Sequence, residues 1–522
     1  MDSEPCVHPR AVARSHSDSR GEDDQEARLP RYTDPSRFRS QGLAGVASGL
    51  DLPSRSGRPL GIYPYGGGTV TRPVCIVGLG RAGVGMALAL AKTGAKVIIV
   101  DAKPSDSPEM VAALDKLGSL DLDVITDWTG TLPSSDLEAL AVSPGVPPNH
   151  PAVLAALSNG TPVWSEMEVA YRTTKSPIVG ITGTNGKSTV TALTWHLLRK
   201  AGASARLCGN IAGAGLGEQP IGEICWQTSE SDWLVTEVSS FQLEWVQAFR
   251  PRAATITNIT EDHLDRYASF EEYANTKHRI FSQMEGEDMA VLSKLHPEAQ
   301  PPWPIRSAVK WIAEDESGDL TIRDGHVLRQ GELLLREADL WLAGRHNLEN
   351  AATALLLATA AGFELDELAA HVATFRGIAN RMERVADLDG VLFLNNSMCT
   401  NPAALHASLA ASPKPVRLIA GGIAKASSWE KYRGLSPNDV RKAYLYGRDR
   451  GALRRAFEAD GVPCSEFETL EEATRAAYRD ATSGEVVLLS PACASFDQFS
   501  SFEERGERFR EIVLTLGENE ER

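Results

Sequence analysis

A chain of 522 residues with 42% hydrophobic and 23% charged side chains has the make-up of a soluble globular protein, long enough for about three domains. Its 53 basic and 69 acidic side chains leave a net charge of −16, which argues against nucleic acid or an anionic membrane as partner but leaves room for a local basic pocket. The seven cysteines follow no paired spacing and read as reduced thiols, the apolar runs are too short to span a bilayer, and no apolar signal core opens the chain, so a cytoplasmic protein is expected.

Residues 1–70 are rich in Arg, Ser, Asp, Gly and Pro, with too few apolar residues to offset the entropy of ordering, and are read as a disordered extension. At Val74 the pattern changes. The strand "VCIVGLG", the helix "RAGVGMALALAKTG" and the strand "KVIIVD" form a parallel βαβ unit, and alternation of this kind defines a first domain over 71–172. A second α/β region, 173–376, opens with the strand "SPIVGIT". It continues through "DWLVTEV" and "RAATITNIT" to the helix "HNLENAATALLLATAAG". A third, 377–522, carries the strands "VLFLNN", "VRLIAGG", "KAYLYG" and "EVVLLS" between helical stretches. The expected fold class is α/β: a Rossmann-like domain, a central parallel sheet with a P-loop-type phosphate site, and a second Rossmann-like domain.

Each region offers a site. In "GLGRAG", Gly78 and Gly80 permit a tight turn and close approach to a diphosphate at a helix N-terminus, next to Arg81. Asp101, at the end of the next strand, can take ribose hydroxyls. The turn alone would suit an NAD dehydrogenase, but any nucleotide diphosphate satisfies the same physics. "GITGTNGKST" lacks the Walker spacing, because Gly180 is too far from Gly186 and Gly183 too close. Its turn still cradles phosphates: Gly183, Thr184, Asn185 and Gly186 lead into Lys187, which can neutralise terminal phosphates, and Ser188 and Thr189 open a helix. This loop is read as an ATP site. Glu237, at the carboxyl end of one strand, and Asp262, His263 and Asp265, just beyond another, converge on the same crevice of a parallel sheet. Ser188, Glu237 and His263 are donors suited to divalent ions beside a triphosphate. Asn347 and Asn350 stand one helical turn apart, either as paired amides for a base or ribose or as part of a helix cap. Lys277 has no role by pattern alone.

With "GNI" at 209–211, "EVSSFQLE", "NITEDHLDRY", "GRHNLENA" and "LLSPACASFDQFSSFEERG" added, the chain from residue 71 onward resembles the Mur ligase family. The last string resembles the branch that adds D-glutamate to UDP-N-acetylmuramoyl-L-alanine in peptidoglycan precursor synthesis. Folylpolyglutamate and cyanophycin synthetases share the phosphate loop but not that string. The resemblance implies that the first domain holds the UDP-sugar through Gly78, Gly80, Arg81, Asp101, Ser143, Pro144 and Gly145, with Asn210, Ser239 and Gln242 from the second. It implies that ATP is activated by two Mg²⁺ ions, one on Ser188 and Glu237 and one on His263 and a Lys277 carbamylated by CO₂. Lys187, Glu237, His263 and Lys277 are then the catalytic set. Asn347, Asn350 and Arg381 fall on the nucleotide side, and Thr400, Lys425, Ser495 and Phe502 on the D-glutamate side. The partners implied are these small molecules, and a monomer is expected.

The third region departs from the family pattern. Where the family reads Asp-Ser-Lys-Ala-Thr-Asn this chain has "NSMCTN", with Asn396 for the acid and Met398 for the lysine; Asn380 replaces a histidine and Ile423 an acid. Three outcomes follow: retained activity with a rebuilt third-domain site, a shifted acceptor such as L-glutamate, or a weakly active paralogue that binds nucleotide sugar and ATP. On the sequence alone, Met398→Lys is expected to raise kcat/KM with D-glutamate by returning a cation to the acceptor side.

Overall fold

The computed structural model describes residues 72–263, 266–341, 344–424 and 429–518. The extension at 1–70, Asp265 and Lys425 lie outside the described residues.

Short, mostly apolar runs make the first sheet from β1 (Val74–Val77), β2 (Val97–Val100), β3 (Asp123–Ile125), β4 (Ala139–Val142) and β5 (Val163–Ser165); the edge strand β3 is largely exposed and the other four are buried. All neighbours are parallel, in the order β3-β2-β1-β4-β5. The order reverses at β1, so a crevice opens beyond the carboxyl ends of β1 and β4, where Gly78 and Ser143 lie.

The second sheet contains β6 (Ile178–Thr182), β7 (Ser204–Gly209), β8 (Asp232–Glu237), β9 (Ala253–Ile256), β10 (Glu285–Ser293), β11 (Arg306–Ala313), β12 (Leu320–Arg323), β13 (His326–Arg329) and β14 (Glu332–Arg336). Its order is β14-β13-β12-β11-β10-β9-β6-β8-β7, parallel from β7 to β12, with an antiparallel meander at the far edge. β6 sits between β8 and β9, so the segments following these three strands emerge side by side. The third sheet takes β15 (Glu383–Leu388), β16 (Val391–Asn395), β17 (Val416–Gly421), β18 (Val440–Tyr446), β19 (Cys464–Glu466) and β20 (Val486–Leu489) in the order β15-β16-β20-β17-β18-β19. Only β15 is antiparallel to its neighbour there.

The cores differ in kind. One continuous apolar cluster runs from Val74, Leu90 and Trp164 of the first sheet region into Ile178, Leu234 and Tyr273 of the second. The third sheet has its own clusters on its two faces, around Leu418 and Leu445 on one and Ile419 and Tyr444 on the other. The first junction is also tied by polar groups. Glu168, fully buried on the helix Glu166–Thr173, accepts backbone N–H bonds from Gln247 at 2.8 Å and Phe249 at 3.0 Å, and pairs with Arg172 at 2.7 Å. Such a charge is tolerated at this depth only because its lone pairs are taken.

Candidate active site

The turn after β6 is built for a phosphate. Gly183 has φ +143°, and a Cβ there would lie 2.0 Å from Thr257 Oγ1, so no larger residue fits. Gly186, left-handed at φ +81°, caps the helix Lys187–Lys200, whose first amides face the turn. The segment after β9 supports it: Thr184 N donates to Asn258 O at 2.8 Å and Asn185 N to Asn258 Oδ1 at 3.0 Å. Lys187 Nζ donates to Thr184 O at 2.8 Å. Burial pushes the Lys187 pKa down, Glu237 and Asp262 oppose the shift, and Arg381 adds to it. Thr189 lines the cleft beside this turn.

Ser188 and Glu237 meet beside this turn. The Ser188 hydroxyl donates to Glu237 Oε2 at 2.6 Å, and Asn210 Nδ2 donates to the other carboxylate oxygen at 2.9 Å. Lys277, which the pattern left without a role, is buried on the helix Phe270–His278 and donates to Gly183 O at 2.9 Å. Burial, with Lys187 as a second cation, brings its pKa down to about 7, so much of the amine is neutral near neutral pH. Tyr273 joins the parts. Its ring lies 4.7 Å beneath Lys277 Nζ, its hydroxyl is 3.2 Å from Thr184 Oγ1, and the His263 ring meets it edge-on at 6.2 Å. His263 also has Asp262 at 3.5 Å and adopts φ +53° in the segment after β9.

The third sheet faces this turn across a cleft of about 960 Å³. Asn347 and Asn350 line it; Asn350 Nδ2 donates to Asn347 Oδ1 at 3.4 Å, while the helix Arg345–Ala358 is capped by Gly344 without a side-chain bond, so the pair does not serve as the helix cap. Arg381 crosses the cleft: Nη1 donates to Ser188 Oγ at 2.7 Å and Nη2 lies 3.1 Å from Met398 Sδ. The departing residues are integrated into the backbone. Asn380, left-handed at φ +62°, a conformation asparagine tolerates well, takes Asn395 Nδ2 on its side-chain oxygen at 3.0 Å. Asn396 accepts from Met382 N at 3.3 Å, and Ile423 pairs with Ala494 through two backbone bonds. Of the residues expected to receive the amino acid, Thr400 is half-buried after β16, Ser495 is buried after β20, and the Phe502 ring abuts Gly213 of the second region, leaving no room for a Cβ there.

The first crevice is self-supporting. Ser143 Oγ donates to Gly78 O at 2.8 Å and Asp101 Oδ2 accepts from Leu79 N at 2.7 Å, so Asp101 fixes the glycine turn. Gly80 and Arg81 are exposed at the start of the next helix, and Pro144 and Gly145 form a turn closed by Val146 N on Ser143 O at 2.9 Å. Ser239 and Gln242 cap each other's turn, and Gln242 Nε2 also donates to Glu166 at 2.8 Å. Sequence reasoning missed Glu166, a buried carboxyl whose pKa burial raises. It also missed Arg266, which clamps Glu244 with two bonds of 2.7 Å and reaches Val146 O at 3.0 Å. "HLDRY" held the second signal, an arginine next to the candidate ligands.

Among the described residues, no group of three His, Cys, Asp or Glu side chains stands ready to hold a metal. The donor chemistry nevertheless fits magnesium: a hydroxyl and a carboxylate oxygen touch beside the phosphate turn.

Comparison with known proteins bears on this geometry. Residues 72–165 match the Mur ligase MurD-like N-terminal domain, 181–358 the Mur ligase middle domain, and 380–493 the Mur ligase glutamate ligase domain. The UDP-N-acetylmuramoylalanine–D-glutamate ligase of Pelotomaculum thermopropionicum is 37% identical over 457 residues, covering 85% of this chain and 98% of the relative. The ligase of the same name from Chromobacterium violaceum is 38% identical over 456 residues, with the same coverage of 85% and 98%. The crystal structure of UDP-N-acetylmuramate-alanine ligase MurC from Thermotoga maritima shares the fold at a TM-score of 0.51 and 17% identity, covering 85% of this chain and 99% of that one.

Proposed function

This chain belongs to the Mur ligase family, and we infer that its reaction is the ATP-dependent addition of D-glutamate to UDP-N-acetylmuramoyl-L-alanine in peptidoglycan precursor synthesis. The observation that carries the reading is the meeting, in one cleft, of the phosphate turn with its Lys187, the Ser188–Glu237 pair, buried Lys277 and the Arg381 guanidinium from the third sheet.

The chemistry needs such a cleft. A carboxylate is a poor electrophile and repels a triphosphate. In the first step an oxygen of the L-alanine carboxylate attacks the γ-phosphorus, the bond to the β-phosphate oxygen breaks, and ADP leaves. In the second, the D-glutamate amine attacks the acyl carbon of the resulting acyl phosphate, the C–O bond breaks, inorganic phosphate leaves, and the amine loses a proton. Lys187 and the helix amides lower the repulsion in the first step, and Arg381 brings a further positive charge from the opposite side. Magnesium, held by Ser188 and Glu237 and by His263 with carbamylated Lys277, would supply charge neutralisation at the transferring phosphoryl group. The glycine turn with Arg81, Asp101 and Ser143–Gly145 takes the UDP end of the sugar, and Asn210, Ser239 and Gln242 its muramoyl end. Asn347 and Asn350 face the nucleoside, and Thr400, Ser495 and Phe502, with Lys425, receive the amino acid. We read the domains as 71–172, 173–376 and 377–522, working as a cytoplasmic monomer.

The test is release of ADP from ATP and Mg²⁺ with UDP-N-acetylmuramoyl-L-alanine, run with D-glutamate, L-glutamate or no acceptor, the products identified by mass. Turnover with D-glutamate is expected. Turnover with L-glutamate alone would reassign the acceptor. Silence in all three with ATP still bound would mark a nucleotide-binding paralogue.

A further inference from the structure

Arg381 is held in a way that no other part of the cleft explains. It stands between two non-glycine residues in the left-handed region, Asn380 at φ +62° and Met382 at φ +45°. That backbone is fixed by Asn380 N on Glu383 Oε2 at 2.9 Å and by the Asn395 amide on Asn380 Oδ1 at 3.0 Å. The guanidinium has one hand on Ser188 of the phosphate turn and the other on the Met398 thioether. Met398 is tied to the same loop, since its N–H donates to Asn380 O at 3.1 Å, and the side chain is half-buried on the cleft wall. A thioether is a weak acceptor on an adaptable chain, so it covers one edge of a guanidinium without neutralising it.

We propose that Met398 is a positioning residue: its neutral thioether seats the Arg381 guanidinium so that Arg381 faces the phosphate turn, where it exchanges the Ser188 hydroxyl for a phosphate oxygen when nucleotide binds. This rests on the ATP-dependent ligase reading above and specifies how the third domain delivers its charge. The family pattern that carries a lysine here also carries an acid where this chain has Asn396; with that acid gone, a lysine at 398 would set an ammonium without its loop counter-ion against the guanidinium and drive one of the two cations away. The expectation from sequence, that Met398→Lys restores a missing charge, is therefore reversed.

The experiment compares Met398→Leu, Met398→Ala, Met398→Lys and the double variant Met398→Lys with Arg381→Gln. It reads kcat and KM for ATP in the ADP-release assay, KM for the other two substrates, and calorimetric affinity for a non-hydrolysable ATP analogue, with thermal melts confirming folding. Met398→Lys is expected to lose roughly tenfold or more in both kcat/KM for ATP and analogue affinity, with KM for the UDP-sugar unmoved. Met398→Leu, which keeps the bulk but not the sulfur, should lose less than Met398→Ala without matching wild type, and the double variant should bind the analogue more tightly than Met398→Lys alone. Wild-type or higher values for Met398→Lys in both measurements would overturn the proposal, as would a double variant no better than the single one. Should Met398→Lys not fold, equal values for Met398→Ala and wild type would overturn it instead. A wild type that binds the analogue but never turns over would remove the ligase reading, and the analogue affinities would then decide the role of Met398.

Discussion

The two walls of the nucleotide cleft are built on different rules. On the second-domain wall Lys187, Ser188 and Glu237 sit on a strand end or the helix turn that follows it, Lys277 reaches in from the helix Phe270–His278, and short bonds tie them together: Ser188 on Glu237, Glu237 on Asn210, Lys277 on Gly183. On the third-domain wall Asn380 and Met382 ride in uncommon backbone conformations, and side-chain amides and a thioether make many of the contacts: Met398 on Arg381, Asn396 on Met382 N, Asn380 on Asn395. The first wall is fixed by the chemistry of phosphate, which leaves few alternatives. The second need only present a charge and an amino-acid pocket, and several residue sets can do that.

The largest effect that would test the contrast is on the rigid wall. Lys187→Ala should cost about 4 kcal/mol of transition-state stabilisation, near a thousandfold in kcat/KM, and a loss below tenfold in steady-state assays would show that the loop lysine is dispensable. Lys277 follows. With its pKa depressed to about 7 the amine is neutral above that pH and protonated below it. Only the neutral form takes up CO₂, so a carbamate signal in ¹³C NMR with labelled bicarbonate should grow as pH rises through about 7, and activity in CO₂-depleted buffer should fall with it. A pH-independent carbamate signal, or none, would break that part of the comparison.

The adaptable wall should respond more mildly. Gly506→Ala would put a Cβ 1.7 Å from Asn380 Oδ1, forcing the Arg381 loop to shift, and should cost about 1–2 kcal/mol in urea unfolding together with weaker ATP binding. Asn396→Asp is the smallest change: an isosteric acid that still accepts from Met382 N should alter KM for ATP by less than about threefold. A larger response there would mean that this wall is as constrained as the other.

Much of the rigid wall was legible in the sequence, because Gly183, Gly186, Lys187 and Ser188 are contiguous and Glu237 and His263 follow strands of unmistakable β composition. The ambiguity at Asn347 and Asn350 was local: Gly344 takes the capping position, and the two side chains meet on the cleft wall. What sequence could not give depended on distant partners or on weak patterns. Glu168 finds its donors about eighty residues away in a loop without periodicity. β15, "ERVADL", is half-buried and polar enough to pass for helix, and β19 is three residues long. The meander β12–β14 alternates too little to announce itself. Arg381 was placed on the nucleotide side by family likeness, but its reach to Ser188, 193 positions earlier, has no sequence signature.

The apolar cluster that runs unbroken from the first sheet into the second has a consequence for how this chain can change over generations. A substitution at Trp164 or Ile178 is felt on both sides of that boundary, so the first and second sheets must drift in concert. The third sheet keeps its hydrophobic interior to itself, so a substitution in its apolar core is not passed on through the packing of the other two sheets. Asn380, Asn396, Met398 and Ile423 all belong to that self-contained part, which is where a three-part enzyme is freest to be rewritten.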